Sequence, residues 1–122
     1  MKPLIVEATD ETAGIVFDKE RGIFEITGRS LPEDSAEFFD PVLHWVKEYR
    51  NEPNPVTDIV FKLDYFNTAS SKFIQDILAQ LENVQGVKVS WYYFADDESM
   101  EEAGNEFSEF VHIPFEFHII EE

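Results

Sequence analysis

Between Val56 and Phe94 the apolar period changes twice. Ile59, Phe61, Leu63 and Tyr65 alternate with Val60, Lys62, Asp64 and Phe66, the two-residue repeat of an extended chain. After Asn67 the repeat lengthens, and Phe73, Ile74, Ile77, Leu78, Leu81 and Val84 follow the roughly 3.6-residue rhythm of a helix until Gly86. Val87 to Phe94 then alternates again. A strand, a helix and a strand in that order predict two parallel strands joined by a right-handed crossover. Apolar residues on both sides of Val56–Phe66 predict an inner strand.

The flanks extend this pattern. Leu4-Ile5-Val6, Ile15-Val16-Phe17 and Ile23-Phe24-Glu25-Ile26 read as short strands, the last two joined by the charged, Gly-ended loop Asp18–Gly22 of a β-hairpin. Phe38, Val42, Trp45, Val46 and Tyr49 recur at helical spacing. Either Ser30 with Glu33 or Asp34 with Glu37 has the capping-box spacing to open that helix. Pro41 lacks an N–H, which predicts a kink there or a new start with Asp40 as cap. Asp96-Asp97-Glu98-Ser99 opens a third helix carrying Met100, Ala103, Phe107, Phe110 and Val111, and Phe115 to Ile120 reads as a last strand. The fold class expected is α/β: one domain over residues 1–122, a mixed sheet with an N-terminal hairpin, and three main helices near 41–50, 69–83 and 98–111.

Charge narrows the partners. Nine Lys and Arg against 26 Asp and Glu give a formal charge of −17, and no cation follows Lys88. Affinity for nucleic acid comes largely from cations displacing condensed counterions, so DNA, RNA and anionic membrane surfaces are expected to be poor partners. The absence of Cys removes disulfides, thiolate metal sites and thiol nucleophiles together. No apolar run approaches the ~20 residues of a membrane helix, and Met1-Lys2-Pro3-Leu4 leads into no signal-peptide core, so a soluble cytoplasmic protein is expected.

Catalytic constellations are hard to find. His44, His112 and His118 include no pair at metal-binding helix spacing, and the five glycines are too scattered for a dinucleotide fingerprint or a P-loop. No metal and no cofactor is therefore expected, and no enzyme. An oxygen-donor site built from Asp96, Asp97 and Glu101, serving a small metal-dependent hydrolase or ligand-binding module, is the alternative. Acids in the first turn of a helix also favour its dipole, which accounts for them without a metal. The stretch Asn67-Thr68-Ala69-Ser70-Ser71-Lys72 gathers hydrogen-bonding side chains at a helix N-terminus, where a phosphate on a hydroxyl would be stabilised. Lys72, four residues after Thr68, lies on the same face and could pair with it. Simple capping requires the same residue types, so spacing alone leaves both readings open.

Three stretches in order, YFNTASSK at 65–72, GRSLPED at 28–34 followed by Pro41, Trp45 and Tyr49, and WYYFADDESMEEAG at 91–104, together resemble the SiaC family of bacterial regulatory phosphoproteins. The resemblance runs from about Ile15 to Phe117, with Ala69 and Leu31 departing slightly from the family pattern. It implies a STAS-like fold and a switch in place of an enzyme. A dedicated serine/threonine kinase would phosphorylate Thr68 and a PPM-type phosphatase would reverse this. The unphosphorylated form would bind and activate a diguanylate cyclase, placing the chain in c-di-GMP signalling and biofilm or aggregation control. Asn67, Ser70, Ser71 and Lys72 would surround the phosphosite and meet the partner.

Overall fold

The computed structural model describes residues 1–121; Glu122, the last residue of the expected domain, lies outside the described residues. The chain runs β1 (Leu4–Val6), β2 (Gly14–Asp18), β3 (Ile23–Ser30), α1 (Ser35–Tyr49), β4 (Thr57–Phe66), α2 (Thr68–Leu81), β5 (Val87–Phe94), α3 (Glu98–Phe110) and β6 (Phe115–Ile120). The strands form one mixed sheet in sequential order from β1 to β6. β1, β2 and β3 pair antiparallel, whereas β3 to β6 pair parallel through the three helices.

Sequential order fixes where the helices lie. Right-handed crossovers that all step in one direction across a sheet deliver every helix to the same face. Phe17, Phe24, Ile59 and Val89 are in register across four strands and buried. Phe17 and Phe24 meet Trp45 of α1 at ring-centroid distances of 5.4 and 6.1 Å, and on the same face Trp91 meets Phe107 of α3 at 5.5 Å. α2 packs on α1 through Phe73, whose ring stacks on Phe39 at 5.2 Å. β4 is thus an inner strand, between β3 and β5. Its second face is open: Val60 is half-buried among its sheet neighbours and Lys62 is exposed. Apolar residues on the second side reflect packing within an open sheet face.

α1 corrects the expected boundary. It is one helix from Ser35, capped by Asp34, whose Oδ1 accepts the Glu37 N–H at 3.0 Å, and Pro41 lies inside it. The proline removes only a bond to the Glu37 carbonyl, on an exposed turn that water can reach. Phe39, not Phe38, is the fully buried anchor of that turn, which carries the helix through the proline. Ser30, the other candidate cap, instead ends β3.

Two local features prepare the site. The β3–β4 register pairs Gly28 with Leu63 but Arg29 with Tyr65, so one extra residue is accommodated in β4, a β-bulge. Alternation therefore reverses at its end. Tyr65, expected beside Ile59, Phe61 and Leu63, is exposed, and Phe66 turns inward to lie 6.4 Å from the Trp91 ring and 5.9 Å from Phe107. On α3, Gly104 brings the helix close to the sheet: a Cβ there would stand 2.6 Å from Trp91 and 2.8 Å from Phe117. Trp91 is locked in place by its Nε1–H, which donates to the Met100 carbonyl at 2.9 Å.

Candidate functional site

The β4–α2 junction is built around a buried pair of hydroxyls. Ser70 is fully buried, and its Oγ–H donates to the Ser30 carbonyl at 3.1 Å. With that proton committed, the Ser30 hydroxyl is the donor in the 2.8 Å contact between the two side chains. The Asn67 N–H also donates to the Ser30 carbonyl, at 3.0 Å. Three bonds thus tie the C-terminal end of β3 to the first turn of α2. Asn67 caps that turn, its Oδ1 accepting the Ser70 N–H at 2.8 Å. Ser71 closes the turn from the other side, its Oγ–H donating to the Thr68 carbonyl at 2.7 Å.

Ser70 was expected at the partner interface. Its burial makes it a pin that holds the junction, out of reach of a docked protein. Ser70→Ala leaves the Ser30 hydroxyl without its acceptor in a dry site, and the expected loss is about 1–3 kcal/mol of folding stability. Urea unfolding curves compared with the wild type check this; an unchanged midpoint would mean that water satisfies the pair.

Thr68 is different. It is exposed at the first position of α2, and its hydroxyl makes no hydrogen bond among the described residues. The N–H groups of Thr68 and Ala69 fall before the α2 hydrogen-bond ladder begins, so they and the helix dipole favour negative charge here. Beside Thr68 runs a groove of about 220 Å³ between α2 and α3, lined by Phe66, Asn67, Thr68, Ser71, Gln75, Ala103, Glu106 and Phe107. The bulge supplies its aromatic floor by turning Phe66 inward. Among the described residues no Lys or Arg lines the groove, and Glu106 is its charged member. Lys72 is exposed on α2 and forms no ion pair among the described residues.

The α3 wall was missed by sequence reasoning as part of this site. Ala103 and Phe107 were legible as an apolar stripe, but nothing in their spacing says that Ala103 and Glu106 face Thr68. The acidic cluster is dispersed. Asp97 caps α3 by accepting the Met100 N–H at 3.0 Å, and Glu101 accepts the Tyr93 hydroxyl at 3.3 Å. Burial and the neighbouring Glu101 carboxylate raise the Tyr93 phenol above its ordinary value. Among the described residues no group of three or more His, Cys, Asp or Glu could hold a metal ion, so Asp96, Asp97 and Glu101 have no shared centre. No helix is long and apolar enough to cross a membrane among the described residues.

Residues 6–120 match the family model described as SiaC family regulatory phosphoprotein. An uncharacterized protein of Pseudomonas aeruginosa strain UCBPP-PA14 is 34% identical over 119 aligned positions, with 94% of each chain covered. Apo-SiaC from Pseudomonas aeruginosa superposes with a TM-score of 0.87 at 31% identity, covering 97% of this chain and 99% of that one. SiaC from the same organism, in its complex with the diguanylate cyclase SiaD that it activates, gives a TM-score of 0.89 at 30% identity over 96% and 99% of the two chains.

Proposed function

This chain belongs to the SiaC family of regulatory proteins, and from that premise we propose that it is the phosphoprotein of a bacterial partner-switching pathway with Thr68 as its switch. A dedicated serine/threonine kinase phosphorylates Thr68, and a PPM-type phosphatase removes the phosphate. The unphosphorylated form binds a diguanylate cyclase and activates it, coupling the switch to c-di-GMP output and to biofilm or aggregation control in the cytoplasm. The whole chain, residues 1–122, acts as one regulatory domain and carries out no chemistry of its own.

The observation that carries this reading is the contrast among three hydroxyls in one helical turn. Ser70 is buried and bonded, Ser71 is engaged with a backbone carbonyl, and Thr68 is exposed with its hydroxyl unengaged beside a groove. A kinase needs an accessible hydroxyl that can be extracted without dismantling the fold, and Thr68 meets that condition without giving up an existing side-chain bond. The cyclase arm is supported by the Pseudomonas complex, in which a protein of the same fold is the activator of a diguanylate cyclase. The groove itself fits a protein partner: Phe66, Ala103 and Phe107 offer apolar contact, and Gln75 and Glu106 offer polar anchors.

Incubation with the cognate kinase is expected to add one phosphate to the wild type and none to Thr68→Ala, as read by intact-mass spectrometry. Asn67 remains as the cap in that variant, so it should stay folded and lose well under ~1 kcal/mol. Stoichiometric phosphate on Thr68→Ala would move the acceptor to Ser71 and end the assignment.

A further inference from the structure

We propose that two copies of this chain associate through β6, pairing the free edges of their sheets antiparallel about a twofold axis at Phe117. The inference is independent of the phosphorylation reading and rests on three properties of that strand.

The first is an unguarded edge. β1, at the opposite end of the sheet, is only three residues long, a short strand of the kind that resists pairing. β6 has six residues, FEFHII, with no Pro and no Lys, and pairs with β5 without a register shift. Its outer side has no partner strand among the described residues. Phe117 and Ile119, on the helix-bearing side, are 39% and 56% exposed.

The second is the direction of the backbone groups. The Val89 N–H donates to the Pro114 carbonyl at 2.9 Å, and Val89 is in register with Phe115. In a parallel ladder successive residues turn their N–H and C=O to opposite sides, so Phe115, Phe117 and Ile119 aim theirs away from β5. With the axis at Phe117, each Phe117 exchanges both bonds with its counterpart, and Phe115 does the same with Ile119 of the second copy. All three outward residues are satisfied.

The third is side-chain complementarity in that register. Glu116 falls opposite His118 of the second copy, twice by symmetry, and the imidazole can donate to the carboxylate. Both groups are already held in place: the Lys88 ammonium lies 2.6 Å from Glu116, and His118 stacks on Tyr92 at 4.6 Å. An axis at Glu116 would set two carboxylates against each other. One at His118 would oppose two imidazoles and leave Glu116 facing Ile120.

Like net charge opposes association, but it acts at long range and is largely screened beyond ~8 Å at physiological ionic strength. Ala103 and Glu106 line the groove toward α2. α3 meets β6 through Gly104, where a Cβ would stand 2.8 Å from Phe117. The Thr68 groove is therefore on the far side of α3 from the axis, and a dimer presents two open grooves.

Sedimentation velocity on the full chain over a concentration series tests the proposal. A weak dimer is expected, strengthened by moderate salt. His118→Glu should raise its dissociation constant about tenfold or more, because two attractive cross-strand pairs become repulsive. Exchanging the pair, Glu116→His with His118→Glu, should restore it to within about threefold, while circular dichroism verifies that both variants are folded. A chain that stays monomeric throughout, a dimer indifferent to His118→Glu, or an exchange that restores nothing would each overturn the inference.

Discussion

Gly86→Ala is expected to destabilise the protein by about 3 kcal/mol or more, a large share of the ~5–15 kcal/mol that holds a domain of this size together. Two causes add. Gly86 has φ of +78°, where a Cβ costs roughly 1–2 kcal/mol, and a Cβ built there would run into the carbonyl oxygen of Pro55. That carbonyl belongs to backbone with little room to retreat, because the next residues enter β4 and the Thr57 N–H donates to the Gly86 carbonyl at 2.9 Å. Gly22 separates the two causes. Its φ is +68°, yet a Cβ there meets nothing within 4 Å. Gly22→Ala therefore reports backbone strain alone, offset by about 0.4–1 kcal/mol from the stiffer unfolded chain, and should cost ~1 kcal/mol or less. Thermal and urea unfolding of both variants check the difference; equal losses would mean that the Pro55 contact relaxes freely.

Much of this fold is legible because period is legible. The switch from alternation to a helical repeat at Asn67, and back at Val87, marks β4, α2 and β5 within a residue or two. Three features escape for physical reasons. The bulge near Asp64 is a register event between strands, so Tyr65 and Phe66 exchange sides with no trace in the pattern of β4 itself. The open sheet face follows from strand order, which a single strand does not encode; Val60 appears as apolar whether a helix or a half-exposed sheet covers it. α1 runs through Pro41 because Asp34 caps it and Phe39 is buried against α2, tertiary terms that outweigh the local penalty of the proline. In the site, Asn67, Thr68 and Ser71 announce themselves as helix-start residues. Ser30 does not, since its partner Ser70 is forty positions away, and neither does the wall that α3 contributes.

Phosphorylation of Thr68 is expected to weaken binding to the cyclase by about 150- to 5,000-fold. The phosphate adds about 1.5 to 2 negative charges at one point. Against a net charge of −17 that is a small change in the field at a distance, and physiological salt screens most of it beyond ~8 Å. The effect must therefore be local. The groove beside Thr68 already holds Glu106 and no Lys or Arg, so a docked partner would have to cover a dianion next to a carboxylate. Burying charge without a matching cation costs about 3–5 kcal/mol, the source of the factor above. In the free protein the same phosphate should be tolerated, because it would sit in water at the N-terminus of α2 with Lys72 one turn along. The proposed switch would thus block docking while leaving the fold intact. Calorimetric titration of both forms against the cyclase, repeated at low and high salt, distinguishes local from long-range repulsion. A dianion excluded by desolvation keeps most of the affinity ratio as salt rises, whereas repulsion between distant charges loses it. Equal affinities at either salt, or tighter binding by the phosphorylated form, would remove Thr68 from the interface.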